Sequence, residues 1–259
     1  MSPTAGGLLR SEIRRVGSLR SWWALGLPPV LIGGFASAVY AAIASSDALT
    51  GVDDANRVAA LIGLYVTVGA SVLFAAVFGA VHAATDLRHG AASTTFLAAP
   101  RRGQVVAARI LVSAAVGAAY AVVSVLVSVA SLALFGGNAV VDDGLLIAVC
   151  LLGIVVSALW CVLGCGLGLL TGSPAIAAIV VVAWLPIGEL VVIAVLSGIG
   201  AEAVAALLPG ATTVAILAAD RGTDGDMLLP FSAAVVGLLL WTSGITGAGW
   251  LRATRRDVT

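Results

Sequence analysis

The sequence predicts an all-α membrane protein with six transmembrane helices, both termini on the cytoplasmic side, an N-terminal interfacial helix, and a re-entrant outer helical hairpin before the sixth span. Three observations carry this. Of 259 residues, 61% are hydrophobic and 10% charged, with a mean hydropathy of +1.13; a soluble chain carries about a quarter charged residues to cover its surface. Apolar runs recur at about 20 residues, enough at 1.5 Å per residue to cross roughly 30 Å of hydrocarbon. The arginines gather on alternate connections, as the positive-inside rule requires. Long uninterrupted runs mean helices, since barrel strands would alternate over about ten residues.

The chain reads as one transmembrane domain over residues 1–259. Residues 1–21 form the interfacial segment: Leu9, Ile13, Val16 and Leu19 recur at helical spacing, while Arg10, Arg14, Arg15 and Ser18 lie off that stripe, the pattern of a helix along a membrane surface. A solvated basic tail is the plainer alternative. The spans follow at Trp22 to Ala44, Val58 to Ala84, Val105 to Leu134, Leu145 to Leu170, Ala175 to Ile199 and Leu228 to Trp250. The first resembles a secretory signal, but a run of about 23 residues exceeds the 7 to 15 of a signal core, so it is read as uncleaved. Pro28 and Pro29 mark a bend within it. Trp22, Trp23 and Trp250 stand where interfacial anchors belong.

Between the fifth and sixth spans, Ala201 to Ala219 is apolar, but Pro209 and Gly210 divide it into pieces too short to cross. Residues 200–227 are therefore read as an outer re-entrant segment and loop, which also keeps the basic tail inside. Eleven arginines fall on the inward side: Arg10, Arg14, Arg15, Arg20, Arg88, Arg101, Arg102, Arg109, Arg252, Arg255 and Arg256. The outward loops hold Arg57 and Arg221 with nine acids. Both termini are expected in the cytoplasm.

Composition excludes several chemistries. All 13 cations are arginine and none is lysine, so the chain has no phosphate-binding P-loop and no Schiff-base amine. Zero net charge offers no nucleic-acid footprint. Cys150, Cys161 and Cys165 lie in apolar runs without metal-ligand company, and His82 and His89 have no evident acid–base partner. Gly164 and Gly168 make a GxxxG pair, weak support for dimerisation among 31 glycines. No catalytic residues and no metal site are expected.

Two features remain. Glu189 is read as the ionisable residue within a span, three positions after Pro186. A carboxylate at a helix centre costs roughly 2.5–3.5 kcal/mol on the insertion scale, so Glu189 must face protein, water or a partner. A pathway or gating role for Glu189 and Pro186 stands beside a structural one, with the carboxyl hydrogen-bonded between helices. The second feature is the inward connection 86–104. There Ala91 to Ala98 could form a short helix stopped by Pro100, projecting Phe96 and Leu97 between Arg88, Arg101 and Arg102. Apolar anchors with basic flanks suit a groove on a cytoplasmic partner; an arginine-rich loop touching anionic lipid fits equally well.

In this connection, Asp86, Arg88, His89, a small-polar stretch, Phe96, Leu97, Pro100, Arg101 and Arg102 resemble the segment between spans two and three of ABC-2 type transporter permeases. The likeness covers nearly the whole chain, including the N-terminal helix, six spans, the broken segment before the sixth and the basic tail. Asp86 stands where that family often has Glu, and Arg109 where it often has Lys. The resemblance implies that Asp86 to Pro100 holds the coupling helix and Leu8 to Leu19 the connecting helix. It implies a multi-pass permease of the cytoplasmic membrane, dimeric with a second copy or a homologous permease. Two P-loop ATPase subunits would bind MgATP, leaving this chain no cofactor and no ATPase site of its own. Efflux of a hydrophobic or amphipathic substrate, such as a drug, antibiotic or lipid, is the expected function; a proton-coupled secondary transporter using Glu189 is the alternative.

Overall fold

The computed structural model describes residues 5–18, 20–45, 53–88, 102–136, 143–218 and 229–255. Among them the chain is helical without strands: α1 (Ala5–Ser18), α2 (Ser21–Ala44), α3 (Asp53–Arg88), α4 (Arg102–Phe135), α5 (Asp143–Thr171), α6 (Pro174–Ala183), a π-helical turn (Trp184–Gly188), α7 (Glu189–Gly198), α8 (Glu202–Ala205), α9 (Pro209–Ala218) and α10 (Phe231–Arg255). With α6, the π turn and α7 counted as one rod, six helices are long and apolar enough to cross a membrane. The chain therefore has the helices of a multi-pass membrane protein. Their bounds lie within five residues of the sequence expectation; the largest departures are α3, which runs Asp53–Arg88, and the last, which starts after Pro230 and continues to Arg255.

Helix ends follow local chemistry. Gly172, at φ 66°, takes the left-handed conformation that stops α5, and Pro174 then opens α6, where its missing N–H costs nothing. Gly200, at φ 75°, ends α7 in the same way. Pro186 cannot donate to the carbonyl of Val182, and there the backbone widens: Glu189 N–H bonds to the Trp184 carbonyl, five residues back. One extra residue in a turn rotates everything beyond it by about 100°. By contrast α2 runs unbroken through Pro28 and Pro29.

Helix α3 is the hub, flanked by α2, α4, α5 and α6. Lipid offers no hydrophobic drive between helices, so association relies on close backbone approach and polar contacts. Gly79 on α3 faces the Cys161 backbone of α5, while Gly164 and Gly168 of α5 face the carbonyls of Ala76 and Ala80 on α3. The GxxxG pair is thus occupied within the chain, by α3. Cys161 and Cys165 are buried beside it as free thiols. Between α2, α3 and α4, Ser37 hydrogen-bonds Ser128 and lies 3.4 Å from Thr67. Outward faces carry large apolar side chains such as Phe35, Leu126 and Leu240, as lipid contact requires.

The ends of α3, α5 and α10 and the start of α4 meet in one cluster around Ala83, Val106, Leu169 and Ala253. Helix α1 docks at this end too, beside α4, so both ends of the described chain lie at one end of the bundle.

A Cβ at Gly164 or Gly79 would strike backbone, which cannot move aside as a side chain can. Gly164→Ala and Gly79→Ala should each destabilise the detergent-solubilised protein by about 1–3 kcal/mol, read as a lowered thermal midpoint. Gly244→Ala, whose Cβ meets nothing within 4 Å, should leave the midpoint unchanged or raise it.

Candidate functional site

Two buried polar arrangements stand out, one at each expected functional region. The first joins α1 to the bundle. Glu12, His82 and Arg109 are 5%, 4% and 5% exposed, and Glu12 is their centre. Its Oε1 lies 3.8 Å from Arg109 Nη2 and 4.0 Å from Arg15 Nη1, and its Oε2 lies 3.8 Å from His82 Nε2. These are ion-pair separations, longer than direct hydrogen bonds. His82 stacks on Phe78 with ring centroids 5.4 Å apart, and Tyr120 meets Phe78 edge-on.

This cluster revises four expectations. The inward stripe of α1 is Leu9, Glu12 and Val16, with Ile13 turned outward at 61% exposure. Arg109 is a buried counter-ion rather than a loop charge, and His82 has an acid opposite it. Glu189 is accordingly not the sole buried ionisable group. The available signal was Glu12 itself, an acid at positions i+3 from Leu9 and i−4 from Val16 within an arginine-rich helix; only an inward counter-charge makes that placement tolerable.

Helices α3 and α4, of 36 and 34 residues, reach roughly 50 Å at 1.5 Å per residue, well beyond a ~30 Å hydrocarbon core. They flank the expected coupling loop. Asp86 and Arg88 belong to the last turn of α3, and Arg102 opens α4. Their side chains, and His89, Phe96, Leu97, Pro100 and Arg101 altogether, lie outside the described residues.

The second arrangement holds the segment after α7. Pro209 is the first residue of α9 and lacks an N–H, so the next free donors are Gly210 and Ala211. Leu208 before them has no side-chain acceptor. Glu189, at the start of α7, supplies one from another helix: its Oε2 accepts from Gly210 N at 2.9 Å and its Oε1 from Ala211 N at 2.8 Å. The carboxylate thus caps α9 from a distance, at the helix end that favours negative charge. A Cβ on Gly210 would collide with that carboxylate. The π turn at Pro186 aims Glu189 inward at 3% exposure, while Ile187 and Val191 face out at 64% and 56%.

Two tryptophans complete the mounting. Trp160 of α5 donates to Thr213 Oγ1 at 2.9 Å, and that hydroxyl donates to the Pro209 carbonyl at 2.8 Å. Trp241 of α10 donates to the Leu207 carbonyl at 2.8 Å. Sequence reasoning missed all three residues, because a Trp or Thr in an apolar run carries no sign of its partner. Beside Glu189 lies a cavity of about 590 Å³ between α3, the π turn with α7, and α9. Pro186 does not line it and is exposed.

Two outcomes follow. Glu12→Ala leaves Arg109 buried without this anion, which costs about 3–5 kcal/mol; the thermal midpoint should fall and protease should gain access to α1. Adding Arg109→Met should restore part of the loss. In Glu189→Gln one backbone N–H faces an amide NH₂ instead of an acceptor, a loss of about 1–3 kcal/mol. Amide exchange at Gly210 and Ala211 should accelerate while that of α3 stays unchanged.

Compared with known proteins, the chain matches no protein-family model and no curated protein.

Proposed function

We propose that this chain is the permease subunit of an ATP-driven exporter in the cytoplasmic membrane, working as a permease dimer with two separate P-loop ATPase subunits. The observation that carries the reading is the Glu12 cluster. It ties α1 to His82 on α3 and Arg109 on α4, the two helices that flank the arginine-rich connection. A push delivered to that connection by a cytoplasmic partner reaches α1, α3 and α4 together, because α3 packs on α4 and displacing α1 from α4 separates the buried Glu12 and Arg109 charges. The absence of lysine supports an energy source on another chain.

In this reading the end of the bundle that holds both termini is cytoplasmic, since arginines gather there and acids gather at the other end. The segment from Glu202 to Ala218 is then a re-entrant hairpin entering from outside. Irregular backbone at membrane depth needs cover from protein, and the hydrogen bonds of Glu189, Trp160 and Trp241 to Gly210, Ala211, Thr213 and Leu207 provide it. Movement of α3 would alter the wall of the cavity beside Glu189, linking the coupling end to the outer half. Proton-coupled transport through Glu189 is less well supported, because among the described residues no other carboxylate or histidine lines the cavity beside it to pass a proton on.

The test is co-purification. The chain drawn from its native membrane should bring down a Walker-motif ATPase, and Phe96→Asp with Leu97→Asp should abolish that association without lowering the thermal midpoint of the permease. A chain that purifies alone and moves solute without nucleotide would overturn the reading.

A further inference from the structure

The cavity beside Glu189 has a composition that selects among ligands. Its volume of about 590 Å³ lies in the range of small-molecule sites. Of its fourteen lining residues only Tyr65, Glu189 and Thr213 carry polar side chains. Thr213 is engaged in both directions, accepting from Trp160 and donating to Pro209. A carboxylate has about four acceptor positions, and the two backbone donors together with the Trp184 side chain do not exhaust those of Glu189. Among the described residues Glu189 forms no ion pair with an arginine or histidine. The N-terminus of α9 supplies roughly half a positive charge against one negative, so an uncompensated negative potential remains in an apolar chamber.

We infer that this cavity is a binding site for a hydrophobic organic monocation, with Glu189 as its counter-ion and α3, α7 and α9 enclosing its apolar body. A carboxylate facing low dielectric attracts a cation strongly and excludes an anion of the same shape, while a neutral molecule gains nothing from it. Gly69 leaves room for that body on the α3 side: it lines the cavity, and a Cβ placed there meets no atom within 4 Å. That such a ligand is also the transported substrate rests on the exporter reading; binding itself does not.

Tetraphenylphosphonium and tetraphenylborate have nearly the same shape and opposite charge, so together they isolate the electrostatic contribution. The purified full chain in zwitterionic lipid nanodiscs should bind tetraphenylphosphonium saturably above empty discs, and tetraphenylborate should not compete. Glu189→Gln should weaken that binding by about tenfold or more, the loss of a charge-assisted contact. Gly69→Phe should weaken it severalfold by narrowing the chamber while leaving amide exchange at Gly210 and Ala211 as in the wild type. If Glu189→Gln fails to fold, Gly69→Phe decides alone. Unchanged affinity in Gly69→Phe, or equal competition by tetraphenylborate, as for a chamber that simply holds lipid chains, overturns the assignment. The two readings fail separately: cation binding by a chain that recruits no ATPase sinks the exporter and keeps the site. An ATPase-associated chain that does not distinguish the two ions does the reverse.

Discussion

Hydrocarbon cannot solvate a charge or an unpaired N–H, and the polar architecture of this molecule follows from that constraint. Glu12 and Glu189 illustrate two answers to it. Glu12 faces the Arg15 and Arg109 guanidiniums and the His82 imidazole, groups from three helices, and so fastens α1 to the bundle. Glu189 meets no side-chain cation among the described residues; it answers the exposed N–H groups of a helix that begins with proline. In each case the polar group and its partner are jointly affordable and individually costly. Each pairing therefore specifies position as well as contributing stability.

The same constraint explains how the bundle is held. Because lipid is as apolar as leucine, helices gain little by hiding leucines from it. The contact that matters between α3 and α5 is made by Gly79, Gly164 and Gly168 against bare backbone, which brings the two rods close along much of their length. The larger apolar residues are left for the outward faces. The rod containing α6 and α7 is the least enclosed of the six, so it borders both the lipid and the cavity, and its π turn decides which side chains face which.

Much of the architecture was legible in the sequence, and what was not has physical causes. Six runs gave six helices, with ends displaced by only a few residues. The last began late because Pro230 stands just before its first helical residue and ran long because arginines at its end can still be helical. Pro209 and Gly210 did separate two short helices of four and ten residues. The candidate site was legible only in part. Glu189 stood out as an acid in an apolar run, yet nothing near it in the chain announced Gly210 and Ala211. Glu12 was hidden because an acid among arginines looks like ordinary solvated charge, and the inward face of α1 was assigned to Ile13 for want of a known counter-charge. The glycine pair of α5 was visible, but its partner, another helix of the same chain, was not.

The sequence by itself determined the number, length and order of the membrane helices and the end at which positive charge collects. Those are local properties: hydrocarbon thickness selects runs of a given length, and arginine density can be counted along the chain. Only the tertiary structure decided that Glu12 pairs with His82 and Arg109, that Glu189 caps α9, and that a chamber remains between α3, α7 and α9. Such pairings join groups far apart in the chain, and their energy depends on distance and burial, which exist only once the helices have packed.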